Sequence, residues 1–158
     1  MTRRRISIYK FNTFYRQVNP LRLAWVDLLD RYDWTWFTTL TFRDLPKTYT
    51  AINRTKKWLR AIRNEERVYI PWYMCLEFTK RLNWPHIHLL MANLEGVSRK
   101  KWWFEWYTRY GGARIKPYKK ELGATHYLCK YVVKDTGNSA LFEVRGLKWL
   151  DRHLDKEK

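Results

Sequence analysis

The chain has no long apolar run: nothing in it approaches the about eighteen consecutive apolar residues that a membrane-crossing helix requires. Arg3-Arg4-Arg5 stand near the amino terminus without the apolar segment of a signal peptide behind them, so a soluble, cytoplasmic protein with no membrane partner is expected. Cysteine is scarce. Cys75 and Cys129 stand in segments that read as a strand and a helix, which makes a reduced intracellular setting simpler than a disulfide framework. No Gly-x-x-x-x-Gly-Lys-Ser/Thr loop occurs, so nucleotide hydrolysis is unsupported and no nucleotide cofactor is expected. Internal repeats and low-complexity tracts are also missing, and 158 residues suit a single domain with one respectable core.

Acidic residues are the remaining shortage. Fifteen Asp and Glu face 32 Lys and Arg, giving a formal charge of +17, and the cations occur in every part of the chain. A polyanion is the natural partner for such a surface. Ten Trp, eleven Tyr and seven Phe accompany the charge. Bases stack on aromatic faces in sequence-tolerant single-strand binding, although most of these rings belong to the core.

Residues 1 to 20 carry no assignable pattern, and Arg3 to Arg5 fit either an arm on DNA or a solvated terminus. Leu21 to Arg31 places Leu21, Trp25, Leu28 and Leu29 near helical spacing behind Pro20, which predicts an amphipathic helix. Trp34 to Phe42, aromatic and β-branched, predicts a central strand whose threonines either line a site or satisfy cross-strand partners. Tyr49 to Glu66 predicts a helix with Ile52, Lys56, Leu59 and Ile62 along one side and Arg54, Lys57, Arg60 and Arg63 largely on another. That basic face is either solvated or in contact with DNA. Val68 to Phe78 and His86 to Ala92 predict two strands joined by the polar turn Lys80 to Trp84. Ser98 suits the N-cap of a helix from Arg99 to Tyr110, in which Trp102, Trp103, Trp106 and Tyr110 are too many for one buried stripe. Some of those rings must be exposed or grip something. Gly111-Gly112 ends that helix, and Ala113 to Tyr118 predicts a short strand. Thr125 to Asp135, bounded by Gly123 and Gly137, reads as a helix, and Leu141 to Leu154 as an edge strand followed by a short amphipathic helix.

The chemistry gathers in two stretches. Period two places His86 and His88 on one face of their strand, roughly 6.5 Å apart along it. Glu77, eight residues before His86 across the turn, has the parity to point to the same face. One carboxylate and two imidazoles then converge. A His-x-His pair by itself is more often structural, but this mixed nitrogen and oxygen set with open positions suits Mn²⁺ or Mg²⁺ better than Zn²⁺, and such a cation polarises a phosphate. In the second stretch Tyr127, Lys130, Tyr131 and Lys134 take positions i, i+3, i+4 and i+7 of one helix face, with Leu128, Cys129, Val132 and Val133 on the other. The plain reading is a surface helix with snorkelling lysines. The chemical reading is a phenol nucleophile with Lys130 or Lys134 within a turn to favour phenolate attack on a phosphodiester, an ester exchange that runs equally well backwards.

Glu77…Arg81…Pro85-His86-Ile87-His88-Leu89 resembles the His-hydrophobe-His metal motif of HUH endonucleases. Tyr127-Leu128-Cys129-Lys130-Tyr131-Val132-Val133-Lys134 resembles the doubled Tyr-x-x-Lys motif of rolling-circle replication initiators, and Phe37 to Phe42 sits where that family has its first motif. The motifs follow the family's order over residues 34 to 137. The resemblance implies an α+β fold of the ferredoxin-like or RRM-like kind: a central antiparallel sheet of about five strands with flanking helices, the histidines on a central strand and the tyrosine helix alongside. It implies metal-dependent, sequence-specific nicking and joining of single-stranded DNA at an origin or hairpin, through a 5′-phosphotyrosine that leaves a 3′-hydroxyl, to start replication of a phage, virus or plasmid. In initiators of small single-stranded DNA phages two phenols alternate as nucleophile; the order Tyr131-Val132-Val133-Lys134-Asp135-Thr136-Gly137 also resembles single-tyrosine initiators, which favours Tyr131. Arg81, inside the first of these motifs, joins Arg54, Lys57 and Arg60 as a DNA-contact candidate. Many relatives carry a helicase domain for which this chain is too short, so a host or separately encoded helicase is expected, or the chain is a catalytic fragment. Two other readings use the same residues: a single-tyrosine HUH transposase acting on a hairpin at an element's end, and a non-catalytic nucleic-acid-binding module in which His86 and His88 are structural.

The charge alone generates one expectation. Affinity for a single-stranded polynucleotide, followed by fluorescence anisotropy, falls about tenfold or more between about 50 and about 200 mM salt, because each neutralised phosphate releases counterions. A flat salt dependence rules out contact dominated by the backbone.

Overall fold

Helix α1 starts where Asn19 caps it: the Asn19 side chain accepts a hydrogen bond from Leu21 N at 2.9 Å, and Pro20 takes a first-turn position that needs no amide hydrogen. In the computed structural model, which describes residues 19–129 and 142–154, α1 spans Pro20–Leu29. It is followed by β1 (Trp36–Leu40), α2 (Thr48–Glu66), β2 (Trp72–Phe78), β3 (Pro85–Met91), α3 (Arg99–Arg109) and β4 (Ala113–Pro117). A 3₁₀ turn (Lys120–Leu122), α4 (Ala124–Cys129), β5 (Phe142–Arg145) and α5 (Leu147–Leu154) complete the described elements. None of these helices is long and apolar enough to cross a membrane.

The strands form one sheet in the order β4-β1-β3-β2-β5, and every neighbouring pair is antiparallel. With five α-helices flanking the sheet among the described residues, the fold is α+β, and the strand that carries both histidines is its middle one. Alternate residues feed two cores. Trp36, Leu40, Met74, Ile87 and Leu89 pack beneath Trp58 and Ile62 of α2 and Trp102 and Trp106 of α3. Tyr73, Cys75 and Leu90 point the other way, towards Val26 and Leu29 of α1, Leu128 of α4 and Leu150 of α5. Burial on both faces explains why β2 and β3 read as nearly continuous apolar runs.

The turn between β2 and β3 sets the register of the whole centre. Thr79 N donates to Trp84 O at 2.9 Å, Asn83 N to Thr79 O at 3.0 Å and Trp84 N to the Thr79 hydroxyl at 3.1 Å, with Asn83 in the left-handed region at φ 50°. Seven Cα pairs follow, from Phe78 opposite Pro85 to Trp72 opposite Met91. Strand β2 is shorter than the expected Val68 to Phe78, and the reason is local. Helix α2 closes on Arg67 in the left-handed conformation (φ 55°), and the chain has to travel from there to Pro71, whose carbonyl accepts from Ala92, before it can join the sheet.

The far end of β1 is stitched to the loop that follows α3: Thr41 N donates to Gly112 O at 2.8 Å, Arg43 N to Tyr110 O at 2.7 Å and the Trp106 indole to Thr41 O at 3.0 Å. This close approach demands glycine at 111. Its φ is +153°, and a Cβ there would stand 2.6 Å from Thr41 O and 2.7 Å from Arg43 N, both backbone atoms that cannot swing aside. Gly111→Ala is therefore expected to destabilise the protein by roughly 2 to 4 kcal/mol in urea unfolding. A loss below about 0.5 kcal/mol, the scatter of neutral surface changes, would contradict this account.

Candidate active site

His88 stands at the centre of the sheet, 5% exposed, with Thr39 opposite it on β1 and Cys75 opposite it on β2. A buried imidazole needs partners for its nitrogens. Nδ1 lies 3.1 Å from the Thr39 hydroxyl and Nε2 lies 3.0 Å from Glu77 Oε2. Glu77 sits directly opposite His86 and diagonal to His88, so the hairpin register alone delivers its carboxylate to this face. The same oxygen accepts a third group, the Tyr127 hydroxyl, at 3.2 Å. The Tyr127 ring meets His88 edge-on, with centroids 5.5 Å apart, and Phe37 stacks on the imidazole from β1 at 6.4 Å. Thr39, His88, Glu77 and Tyr127 thus form one polar chain leading from a buried ring to an exposed phenol.

Local structure explains how α4 brings Tyr127 there. Gly123 takes a left-handed conformation (φ +66°) after the 3₁₀ turn, and Tyr127 N donates to its carbonyl at 3.1 Å. Thr125 donates to Asp30 at 2.6 Å, Arg22 donates to His126 O at 2.8 Å, and Ala124, Leu128 and Cys129 are buried against the neighbouring core. With that side of the helix committed, Tyr127 faces outwards, 40% exposed. Lys130, Tyr131 and Lys134, the other residues of the expected stripe, lie outside the described residues. Burial pushes the Cys129 thiol up to about 12, so it stays protonated at neutral pH and is no competing nucleophile.

The donor set can be tested against a divalent cation. Adjacent corners of an octahedron with bonds of about 2.1 Å lie about 3.0 Å apart, which matches the separation of His88 Nε2 and Glu77 Oε2. While Nε2 faces the carboxylate as a donor, Nδ1 accepts from Thr39; ligation through Nε2 needs the other tautomer, with Nδ1–H donating to the Thr39 hydroxyl. Thr39 serves both states. His86, half-buried on the same face, makes no hydrogen bond among the described residues, and no three His, Cys, Asp or Glu side chains there are gathered as a metal cluster. Two of the three expected donors meet; the third shares their face.

The DNA-contact candidates divide. Arg81 is exposed in the β2–β3 turn, at the end of the hairpin where Glu77 and His86 stand. Arg54, Lys57 and Arg60 belong to α2, which covers the opposite face of the sheet from His88. Arg54 gives both terminal nitrogens to Asp44, at 2.6 and 2.9 Å, and its guanidinium lies 5.4 Å from the Tyr110 ring centre. That hydrogen-bonded pairing holds the Asp44 carboxyl below its usual range. Arg60 lines a cleft of about 450 Å³ with Lys56, Arg63, Arg145 and Tyr69. On the His88 face itself, the register sets Arg114 opposite Thr39 and Lys116 opposite Phe37, both exposed on edge strand β4. Sequence reasoning gave these two no role; the signal was an Arg-x-Lys alternation in the segment expected to be a strand.

A family model for the replication-associated protein ORF2 matches residues 35–136, about two thirds of the chain. No curated protein and no solved structure matches.

Replacing Thr39 by valine keeps the side-chain shape and deletes the hydroxyl that meets Nδ1. The expected result is a shifted His88 imidazole ¹⁵N signal in NMR spectra and a stability loss of about 1 kcal/mol. Unchanged ring signals would mean that the hydrogen bond is absent in solution.

Proposed function

The chain belongs to the replication-associated protein ORF2 family, and on that premise we propose that it initiates DNA replication by nicking a single strand and rejoining it through a phosphotyrosine. The observation that carries this reading is the shared carboxylate oxygen: Glu77 Oε2 takes hydrogen bonds from His88 and from the Tyr127 phenol. A phenol is a weak nucleophile at neutral pH, and a carboxylate at 3.2 Å both orients its oxygen and offers an acceptor for its proton. Attack by the phenol oxygen forms a Tyr–O–P bond and breaks the bond from phosphorus to the 3′-oxygen. That oxygen gains a proton and becomes a 3′-hydroxyl. Because one phosphodiester replaces another, the hydroxyl can later attack the phosphotyrosine and restore the strand.

The rest of the reading assigns supporting roles. Arg114, Lys116 and Arg81 neutralise phosphates of a strand lying across the His88 face. Glu77, His88 and His86 would hold the divalent cation, Mn²⁺ or Mg²⁺, whose chemistry when bound is to polarise the scissile phosphate. A carboxylate has two oxygens, so holding a cation and accepting a phenol hydrogen do not exclude each other. Tyr131 is the alternative or alternating nucleophile, with Lys130 and Lys134 offsetting the phenolate charge. The DNA would be the origin of a phage, virus or plasmid, opened by a helicase encoded elsewhere.

Incubation with single-stranded origin DNA and Mn²⁺ should yield a protein–DNA adduct that survives denaturing electrophoresis. The Tyr127→Phe, Tyr131→Phe double variant should yield none, and the two single variants identify the first nucleophile; an adduct that persists in the double variant sinks the tyrosine assignment. Glu77→Gln and His88→Ala should each slow adduct formation by about a hundredfold or more while DNA binding is retained.

A further inference from the structure

Helix α3 carries more rings than its core contacts use. Trp102 and Trp106 are buried, but Trp103, Phe104 and Tyr107 are 38%, 57% and 48% exposed. Two of the exposed rings are nonetheless held in a fixed arrangement. Trp103 and Tyr107, one turn apart, stack with centroids 5.0 Å apart and planes 8° from parallel. The Trp103 indole donates to Ala113 O at 2.9 Å, and Arg43 donates to Tyr107 O at 2.7 Å with its guanidinium 5.7 Å from the Tyr107 ring centre. The rings therefore lose little side-chain freedom when a ligand arrives.

We propose that Trp103, Tyr107 and Phe104 form a base-stacking platform that holds single-stranded DNA on one flank of the nick, an inference that rests on the nicking function proposed above. The platform's position supports it. Ala113, which anchors Trp103, immediately precedes Arg114, and Arg114 faces Thr39, the partner of His88. Strand β4 lies two strand spacings from β3, roughly 10 Å. A strand leaving the candidate site would cross Arg114 and turn over the open edge of β4 onto the rings. Charge selects the occupant: Arg43, Arg99, Lys100 and Arg114 are exposed around the rings, a setting that favours a polyanion with π-faces over a neutral apolar partner. Holding a flank by its bases keeps a cut strand in place until it is rejoined.

The test uses the full chain, a fluorescein-labelled oligothymidylate and an abasic strand of the same length. Trp103→Ala with Tyr107→Ala should weaken oligothymidylate binding by about tenfold or more and leave abasic-strand binding unchanged, whereas Trp103→Phe with Tyr107→Phe should keep most of the affinity. Equal affinities of wild type and the alanine variant for oligothymidylate overturn the platform, as does an equal loss on both strands. A wild-type dimer that the alanine variant converts to monomer in sedimentation also overturns it, since the rings would then be a subunit contact. Adduct yield at saturating DNA separates the two ideas: the alanine variant should form the adduct normally, so a failed platform leaves nicking standing, and a wild type that forms no adduct fails the nicking reading while the binding comparison remains readable.

Discussion

The candidate site depends on the register of one hairpin. Because side chains alternate faces along a strand, a slip of one residue between β2 and β3 would send Glu77 to the helix-covered face and leave the His88 imidazole without its carboxylate. The polar turn prevents the slip with three hydrogen bonds and a left-handed asparagine at position 83. Trp84 adds a tie beyond the hairpin, its indole donating to Phe42 O at 3.1 Å. The chemistry of the centre is thus held by groups that never touch it.

The sheet also separates its duties by face. The side under α2 and α3 holds most of the buried tryptophans and the ion pairs of Asp44 with Arg54 and Glu66 with Lys101. The other side holds the polar chain from Thr39 to Tyr127 and the cations of β4. Strand β1 serves both. Its even-numbered residues Trp36 and Leu40 pack in the first core, while Thr39 meets His88, and its end is anchored through Gly112 and Tyr110 to the loop behind α3. Packing changes near Gly111 are in this way mechanically linked to the position of the threonine that orients the imidazole.

Period and parity made much of this legible in the sequence. The alternation of His86 and His88, the polar turn and the count of residues back to Glu77 are local quantities, and the structure has the register they require. The Ser98 cap, with its side chain accepting from Lys101 N, and the Pro20 start were equally readable. What the sequence hid is lateral. Which residue of β1 faces His88, and which residue of β4 faces Thr39, depends on pairings between strands separated by helices, and no local pattern sets those registers. The same limit applies to the basic face of α2. Arg54, Lys57 and Arg60 form a stripe in the sequence, but only the packing of α2 reveals that the stripe lies across the sheet from His88.

The arrangement of burial bears on whether His88 is merely structural. An imidazole placed for stability is satisfied most cheaply by groups buried with it, since exposure of a partner brings competition from water. Thr39 meets that description in part. Glu77 does not: its side chain is 22% exposed against 6% for His88, and the Tyr127 phenol that shares its oxygen is more open still. The polarity therefore runs outwards, from a ring fixed in the sheet to a hydroxyl at the surface beside exposed cations. A fold that needed only to satisfy a buried histidine has no use for the last two members of that chain, whereas a surface that must present a phenol oxygen to a phosphate requires both.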